Sequence, residues 1–265
     1  MNRPLITIIT VCYNAVSTIE KTILSVINQT YTNIEYIIVD GNSNDGTINT
    51  IKKYENKISH WISEPDKGIY DAMNKGIKLA TGEWINFMNS GDTFYNDYTI
   101  EDLFTKTNNK SDIIYGDTNL ILKIGNYIKK GERINSHNYM PFLHQSAFAR
   151  TSLLQKNGFD IKYKICADRN FFYQMYQNKR IFEYINITIS NYEAEEGVSA
   201  TNFIKLHSEI ASIEGINNTL KWKIKFFYLK TTYKIKQLLK RILPEKLIKR
   251  IKKGNLKRRK NSIIY

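Results

Sequence analysis

The sequence predicts an α/β protein in which a mostly parallel central sheet is flanked by helices and followed by a basic amphipathic helical tail. Three observations carry that expectation. Short β-branched runs alternate with segments of helical period between residues 5 and 115. The loops after three of those runs are polar and rich in Asp, Asn, Ser and Gly. Finally, the charge is divided along the chain. From Lys221 to the end, 17 Lys or Arg stand against one acid, Glu245, whereas residues 1–220 hold 22 basic and 24 acidic side chains. The net charge of +14 therefore describes the tail, and the body is close to neutral.

Residues 5–11 (LITIITV) form a short β-branched run and read as a buried strand. In residues 17–29, Ile19, Ile23, Val26 and Ile27 fall at i, i+4, i+7 and i+8, the stripe of an amphipathic helix. Residues 34–39 (IEYIIV) give a second strand, 45–54 a short helix and 60–63 a third strand. Residues 69–80 carry Ile69, Met73, Ile77 and Ala80 on one face, and Gly82 is expected to close that helix in the left-handed C-terminal position. Residues 84–88 (WINFM) are a fourth strand, and 112–115 (DIIY) begin a fifth. Strands and helices alternating at this spacing imply right-handed crossovers and a parallel sheet, with ligands bound beyond the carboxyl ends of the strands. Residues 1–219 are expected to form the body and 220–265 the tail.

The chain has 265 residues and a mass of 31.0 kDa, enough for a real core, and 42% apolar with 24% charged residues excludes a wholly disordered or fibrous chain. Its two cysteines, Cys12 and Cys166, lie outside any CxxC pattern, so neither a disulfide framework nor a zinc cluster is indicated and a reducing cytoplasm fits. The N-terminus makes a poor signal peptide, and no uncharged apolar run approaches the roughly 20 residues that cross a bilayer.

The strand-end rule directs attention to three loops. Cys12-Tyr13-Asn14 follows the first strand, Asp40-Gly41-Asn42-Ser43 the second and Asn89-Ser90-Gly91-Asp92 the fourth. A carboxylate there can accept hydrogen bonds from a base or ribose, or hold a hard cation. Turn chemistry uses the same residue types, so each loop alone is open to either reading.

The opening ITIITVCYNAVSTIEKTILSVINQTYTNIEYIIVDGNSNDGT, and SEPDKGIYDAMNKGIKLATGEWINFMNSGD after it, resemble the family 2 glycosyltransferases, which have the Rossmann-like GT-A fold. The resemblance is collinear over about residues 4–200 and is closest to bacterial enzymes that build capsule, O-antigen or exopolysaccharide units. It implies that Thr10, Val11, Tyr13 and Asn14 form the floor of a nucleotide pocket, and that Asp40 meets the base. It also implies that Asp66 reaches the nucleotide and that Lys67 neutralises a phosphate. Asp40 as a turn residue and Asp66 as a helix cap are the alternatives. Asn74, Asn89, Ser90, Gly91, His144 and Gln145 would face the donor sugar or diphosphate.

Relatives usually carry an Asp-x-Asp cluster after the fourth strand. This chain has a single carboxylate there, Asp92, which is assigned to a divalent cation, Mn2+ or Mg2+. Asp117 follows the fifth strand. Asp168, in Cys166-Ala167-Asp168-Arg169 at the start of an apolar helix over 170–176, matches the family's catalytic base, with Ala167 where the family has a first acid. Favourable placement in a helix dipole is its alternative role. The resemblance thus implies a hexosyltransferase that moves a sugar from a nucleotide-sugar, UDP being the commonest, onto a saccharide or lipid-linked acceptor by a single inverting displacement. A non-catalytic nucleotide-sugar or nucleic-acid binder on the same fold is the alternative. A nucleotidyltransferase would need a phosphate loop rich in Gly and Arg near the N-terminus.

In residues 220–253, Ile235, Leu238, Leu239 and Ile242 form a helical stripe between lysines, Trp222, Phe226, Phe227 and Tyr228 lie near the start, and Pro244 interrupts before Leu247, Ile248 and Ile251. Such a segment suits an anionic membrane surface. A solvated helix on the body, or a phosphate-contacting arm for nucleic acid, would show similar charge; the apolar face is too large for the latter, and no nucleic acid is expected. The protein is accordingly placed in the cytoplasm, peripheral on the inner face of the cell membrane, with residues 254–265 disordered.

Overall fold

The computed structural model describes residues 3–194 and 202–242, apart from 109, 124, 133, 136 and 137. The expected alternation is present: β1 (Ile6–Cys12), α1 (Ile19–Ile27), β2 (Ile34–Asp40), α2 (Thr47–Lys53), β3 (His60–Ser63), α3 (Ile69–Leu79) and β4 (Trp84–Phe87). Then come β5 (Thr93–Phe94), α4 (Thr99–Lys106), β6 (Ile113–Leu122), β7 (Gly125–Lys129), β8 (Ala147–Arg150), α5 (Thr151–Asn157), α6 (Ala167–Gln177) and β9 (Phe182–Glu193). Two helices, α7 (Phe203–Ile213) and α8 (Leu220–Ile242), follow.

Among the described residues the strands form one sheet in the order β3-β2-β1-β4-β8-β6-β9-β5, with β7 paired to β6. The pairings β2–β3, β1–β2, β1–β4 and β6–β9 are parallel, and β8 runs antiparallel between β4 and β6. Side chains of β1 alternate between two cores. Ile9 and Val11 pack under α3 with Met73 and Ile77, while Ile6 and Ile8 pack with Ile23 and Val26 of α1. Both faces are covered, which is why the strand reads as a continuous apolar run. Each wholly buried isoleucine of these layers contributes about 1.5–3 kcal/mol relative to exposure.

Two local expectations are corrected. Gly82 does not close α3 in a left-handed turn. The helix ends at Ala80 in extended backbone, and Gly82 sits where a Cβ would lie 2.6 Å from Thr7 Oγ1 and 2.8 Å from the Leu5 carbonyl oxygen. It is needed for close approach to β1, not for helix capping. Asp117 does not end a strand, because β6 runs through it to Leu122. Its buried carboxylate accepts from Lys130 Nζ (2.6 Å), the Gly131 N–H (2.9 Å) and the Tyr184 hydroxyl (2.8 Å), which ties β6 to the chain after β7 and to β9.

α8 carries two opposed apolar faces. Trp222, Phe226, Leu229 and Tyr233 are buried or half-buried toward α7, with Tyr233 stacked on Phe203 at 5.3 Å. Leu220, Ile224, Phe227, Tyr228, Ile235, Leu238, Leu239 and Ile242 are exposed. At 100° per residue the exposed set shares one stripe on the side away from the buried set, and Lys221, Lys223, Lys225, Lys230, Lys234 and Lys236 fall between the two. The rest of the expected tail, with Pro244, Leu247, Ile248, Ile251 and residues 254–265, lies outside the described residues. Among the described residues no helix is long and apolar enough to cross a membrane.

Candidate active site

Because β1, β2 and β4 are parallel neighbours, the loops after them leave the same edge of the sheet. The first two are tied together residue by residue. The Asn14 N–H donates to Ser43 Oγ (2.8 Å), the Asn44 N–H to Asn14 Oδ1 (3.1 Å), and the Ala15 N–H to Thr47 Oγ1 (2.8 Å). Asn14 and Asn42 adopt positive φ, 47° and 67°, which Asn tolerates better than other side chains with a Cβ. Asp40 organises this pair of loops. It is wholly buried and accepts from the Ser43 N–H (2.9 Å), Ser43 Oγ and Ser63 Oγ (2.6 Å). Thr10 and Val11 are likewise buried, Thr10 donating to the Met88 carbonyl (2.8 Å), so they shape the floor from within the sheet.

The surface of this region belongs to Tyr13, which is 64% exposed, with Asp66 half-buried beside it and Gly41 buried beneath them. Asp66 accepts the Gly68 N–H (2.7 Å) in a turn ahead of α3, and it does not occupy the helix N-cap, which is Gly68. A Cβ on Gly41 would lie 2.5 Å from Asp66 Oδ2 and 3.3 Å from the Tyr13 ring. Gly41 is the gap that lets ring and carboxylate stand side by side. Lys67 is exposed beside them. Asn74, expected at the donor sugar, is committed elsewhere: its amide donates to the Phe159 carbonyl and accepts the Phe159 N–H, both at 2.8 Å, fastening α3 to the chain after α5.

After β4 the chain turns tightly. The Asp92 N–H returns to the Asn89 carbonyl (2.9 Å), with Gly91 at a φ of 102°. Thr22 of α1 holds the turn from below, accepting the Gly91 N–H (3.0 Å) and donating to the Asp92 carbonyl (2.7 Å). The Asp92 side chain is 6% exposed and accepts from Gln145 Nε2 (2.8 Å); burial pushes its carboxyl up to about 6. No Lys or Arg among the described residues pairs with it, and Asn89 Oδ1 in the same turn is buried without a partner. One uncompensated carboxylate and one unused amide oxygen are hard donors, and they fit a divalent cation shared with diphosphate oxygens. They do not enclose an ion by themselves, as the described residues hold no cluster of three His, Cys, Asp or Glu.

Asp168 lies in the first turn of α6, buried, between two donors from other elements. Tyr70 of α3 gives its hydroxyl to Oδ1 (2.8 Å), and His144 Nδ1 lies 2.9 Å from Oδ2. With the carboxylate as acceptor, Nδ1 carries the hydrogen, and Nε2 accepts from the Asn89 amide (3.1 Å). Burial raises the affinity of Asp168 for a proton, but the hydrogen bonds from His144 and Tyr70 outweigh it, and the carboxyl stays below its ordinary range. Tyr70 is pushed the other way, by burial and by Asp168, so it remains a neutral donor. The turn bearing His144 and Gln145 is held by Asn86 of β4, whose amide donates to the Gln145 and Ala147 carbonyls (3.0 and 2.9 Å).

These groups open into a cleft of about 570 Å³. It brings together Asn89, Ser90, Gly91, Asp92, His144, Gln145 and Asp168 of the residues expected from sequence. Tyr13, Asn14, Asp40, Asp66 and Lys67 form the neighbouring loop cluster and do not line it; the Ser90 N–H bonded to the Val11 carbonyl (3.1 Å) and Ser90 Oγ paired with Thr18 join the two regions. Beyond Asp168 the wall turns apolar and cationic, with Met140, Phe142, Leu206 and Ile210 beside Lys129 and Arg169. Tyr70, Asn86 and Glu209 were not singled out by sequence reasoning. Tyr70 sits inside the quoted GIYDAMNKG segment, the one signal that pointed toward it.

Comparison with known proteins places this fold in a family. A match to "Glycosyl transferase family 2" covers residues 7–182. A PGL/p-HBAD biosynthesis glycosyltransferase of Mycobacterium bovis is 28% identical over 211 residues, 76% of this chain and 81% of that protein. An uncharacterized glycosyltransferase of Haemophilus influenzae is 31% identical over 157 residues, 58% of this chain and 63% of the relative. Among solved structures, S. aureus TarS 1–349 in complex with UDP-GlcNAc superposes with a TM-score of 0.65 at 22% identity, over 78% of this chain and 66% of that one. The mannosyltransferase PcManGT of Pyrobaculum calidifontis, in complex with GDP-Man and Mn2+, gives 0.62 at 15%, over 80% and 64%. These likenesses establish the GT-A fold, and the chain belongs to glycosyl transferase family 2 and is a glycosyltransferase.

Proposed function

We propose that the protein transfers a sugar from a nucleotide-sugar, a UDP-sugar in the first instance, to a hydroxyl of a saccharide or lipid-linked saccharide in the assembly of a cell-surface polysaccharide. The observation that carries this reading is the ionised, buried Asp168 sharing one cleft with the Asn89–Asp92 turn. Asp168 takes the acceptor's hydroxyl proton; two of its lone-pair sites are held by Tyr70 and His144 and the others remain for the substrate. The acceptor oxygen bonds to the anomeric carbon from the face opposite the diphosphate, the bond to the diphosphate oxygen breaks, and its electron pair leaves with the diphosphate. The configuration inverts. The base stacks on Tyr13 with Asp66 at its edge, Lys67 meets a phosphate, and Asp40 holds the loops that present them. Asn89 Oδ1 and Asp92 would hold Mn2+ or Mg2+, which when bound supplies positive charge to the leaving diphosphate.

In Asp168→Asn, UDP release from UDP-sugars with manganese should fall by about 10²–10⁴-fold while UDP affinity stays level, because general-base catalysis contributes in that range. Retained turnover in the variant would refute the base assignment.

Residues 1–219 serve as the catalytic body and α8 as a membrane-surface element on the cytoplasmic face. The inner face of α8 already satisfies its packing on α7, so the outer apolar face and its lysine rows are left for a partner, and their joint chemistry matches an anionic bilayer.

A further inference from the structure

The segment 164–166, which leads into α6, is gripped from two sides. Glu209 of α7 accepts three successive backbone N–H groups: Lys164 on Oε1 (2.9 Å), and Ile165 (2.9 Å) and Cys166 (3.0 Å) on Oε2. From the opposite side the Tyr70 hydroxyl meets the Ile165 carbonyl oxygen (2.7 Å) as well as Asp168 Oδ1 (2.8 Å). A phenol has one hydrogen, so that hydrogen is shared between the segment and the carboxylate, and the two acceptors are held in fixed relation. Tyr70 lies two residues after Gly68, whose N–H is bound by Asp66.

We propose that Tyr70 and Glu209 are positioning residues for Asp168, and that through Tyr70 the placement of the base is tied to the loop that receives the nucleotide. This rests on the role given to Asp168 above. Glu209 fixes where α6 begins, and so where its first-turn carboxylate stands. Tyr70 fixes how that carboxylate is turned and lends it a hydrogen bond. The groups facing Asp168 are Tyr70 from α3, His144 from the turn before β8, and Cys166 and Arg169 from its own segment.

The test is a 13C NMR titration of protein labelled at Asp Cγ, with the Asp168 resonance assigned by its loss in Asp168→Asn. It is paired with the pH profile of UDP release from UDP-sugars. In Tyr70→Phe the Asp168 carboxyl should titrate about one unit higher, since a hydrogen bond to the charged form is lost. At pH 7 kcat should fall about tenfold and the donor KM should hold within about twofold. Glu209→Gln, with a single acceptor oxygen, should lower kcat with the same unchanged KM and displace the Asp168 resonance. A titration unmoved in Tyr70→Phe, or a loss confined to melting temperature in both variants, overturns the proposal. If the wild type releases no UDP at all, the glycosyl-transfer reading fails in the activity arm, and the NMR arm still decides whether Tyr70 governs Asp168.

Discussion

On the proposed nucleotide side, the geometry turns on one residue, Gly41. Its missing Cβ leaves room for the Asp66 carboxylate and the Tyr13 ring. Gly41→Ala should therefore push Asp66 aside and weaken UDP binding by about tenfold or more, with little change in melting temperature, as read by calorimetry; unaltered affinity would place the base elsewhere. Asp40, expected to meet the base, and Asp66, expected to reach the nucleotide, separate here. The first is wholly buried and holds serines, and the second is half-buried and holds the Gly68 N–H through one oxygen. Burial made that distinction, and no pattern of Asp, Gly and Ser in a row contains it.

At the scale of elements, α8 is unusual in being apolar on two sides. An amphipathic helix that merely packed on the body would expose a polar face. Here Phe227, 74% exposed, and Leu238, 57% exposed, sit on the outward stripe. The protein should co-sediment with vesicles containing phosphatidylglycerol and much less with pure phosphatidylcholine. Phe227→Ser with Leu238→Ser should reduce that binding about tenfold or more, since each exposed apolar side chain adds area to bury. Raising the salt should also release the protein, because exposed charges are screened. Equal binding to both vesicles would remove the anionic surface as the partner. The stripe from Ile235 to Ile242 is plain in the sequence; that Trp222 and Phe226 turn inward while Phe227 and Tyr228 turn outward emerges only once α7 lies beneath.

For the whole molecule, the parallel half of the sheet depends on Glu35, whose buried carboxylate joins β2 to β1 and to the chain before β4. It accepts from Thr7 Oγ1 (2.6 Å), the Thr81 N–H (2.8 Å) and Thr81 Oγ1 (2.7 Å). Burial raises its proton affinity, but these bonds outweigh it and the carboxyl lies below its ordinary value of 4.5. A carboxyl lowered by folding adds stability that is present above the ordinary value and lost as pH falls through the lowered one. Glu35→Gln should thus cost about 1–3 kcal/mol at pH 7, by leaving buried donors unpaired, with the gap closing in acid denaturation below pH 4.5. A gap that stayed constant with pH would deny the charge its part. The sequence by itself determined the alternation of β1 through β4 and the polar loops at their ends, because period and strand-end chemistry are local. Only the tertiary structure decided that Asp117 and Asn74 are bonded within the body, that Gly82 is a contact point, that Tyr70 and His144 meet Asp168, and that Glu209 holds the segment leading to it. Those facts depend on contacts between residues tens of positions apart, which no local pattern encodes.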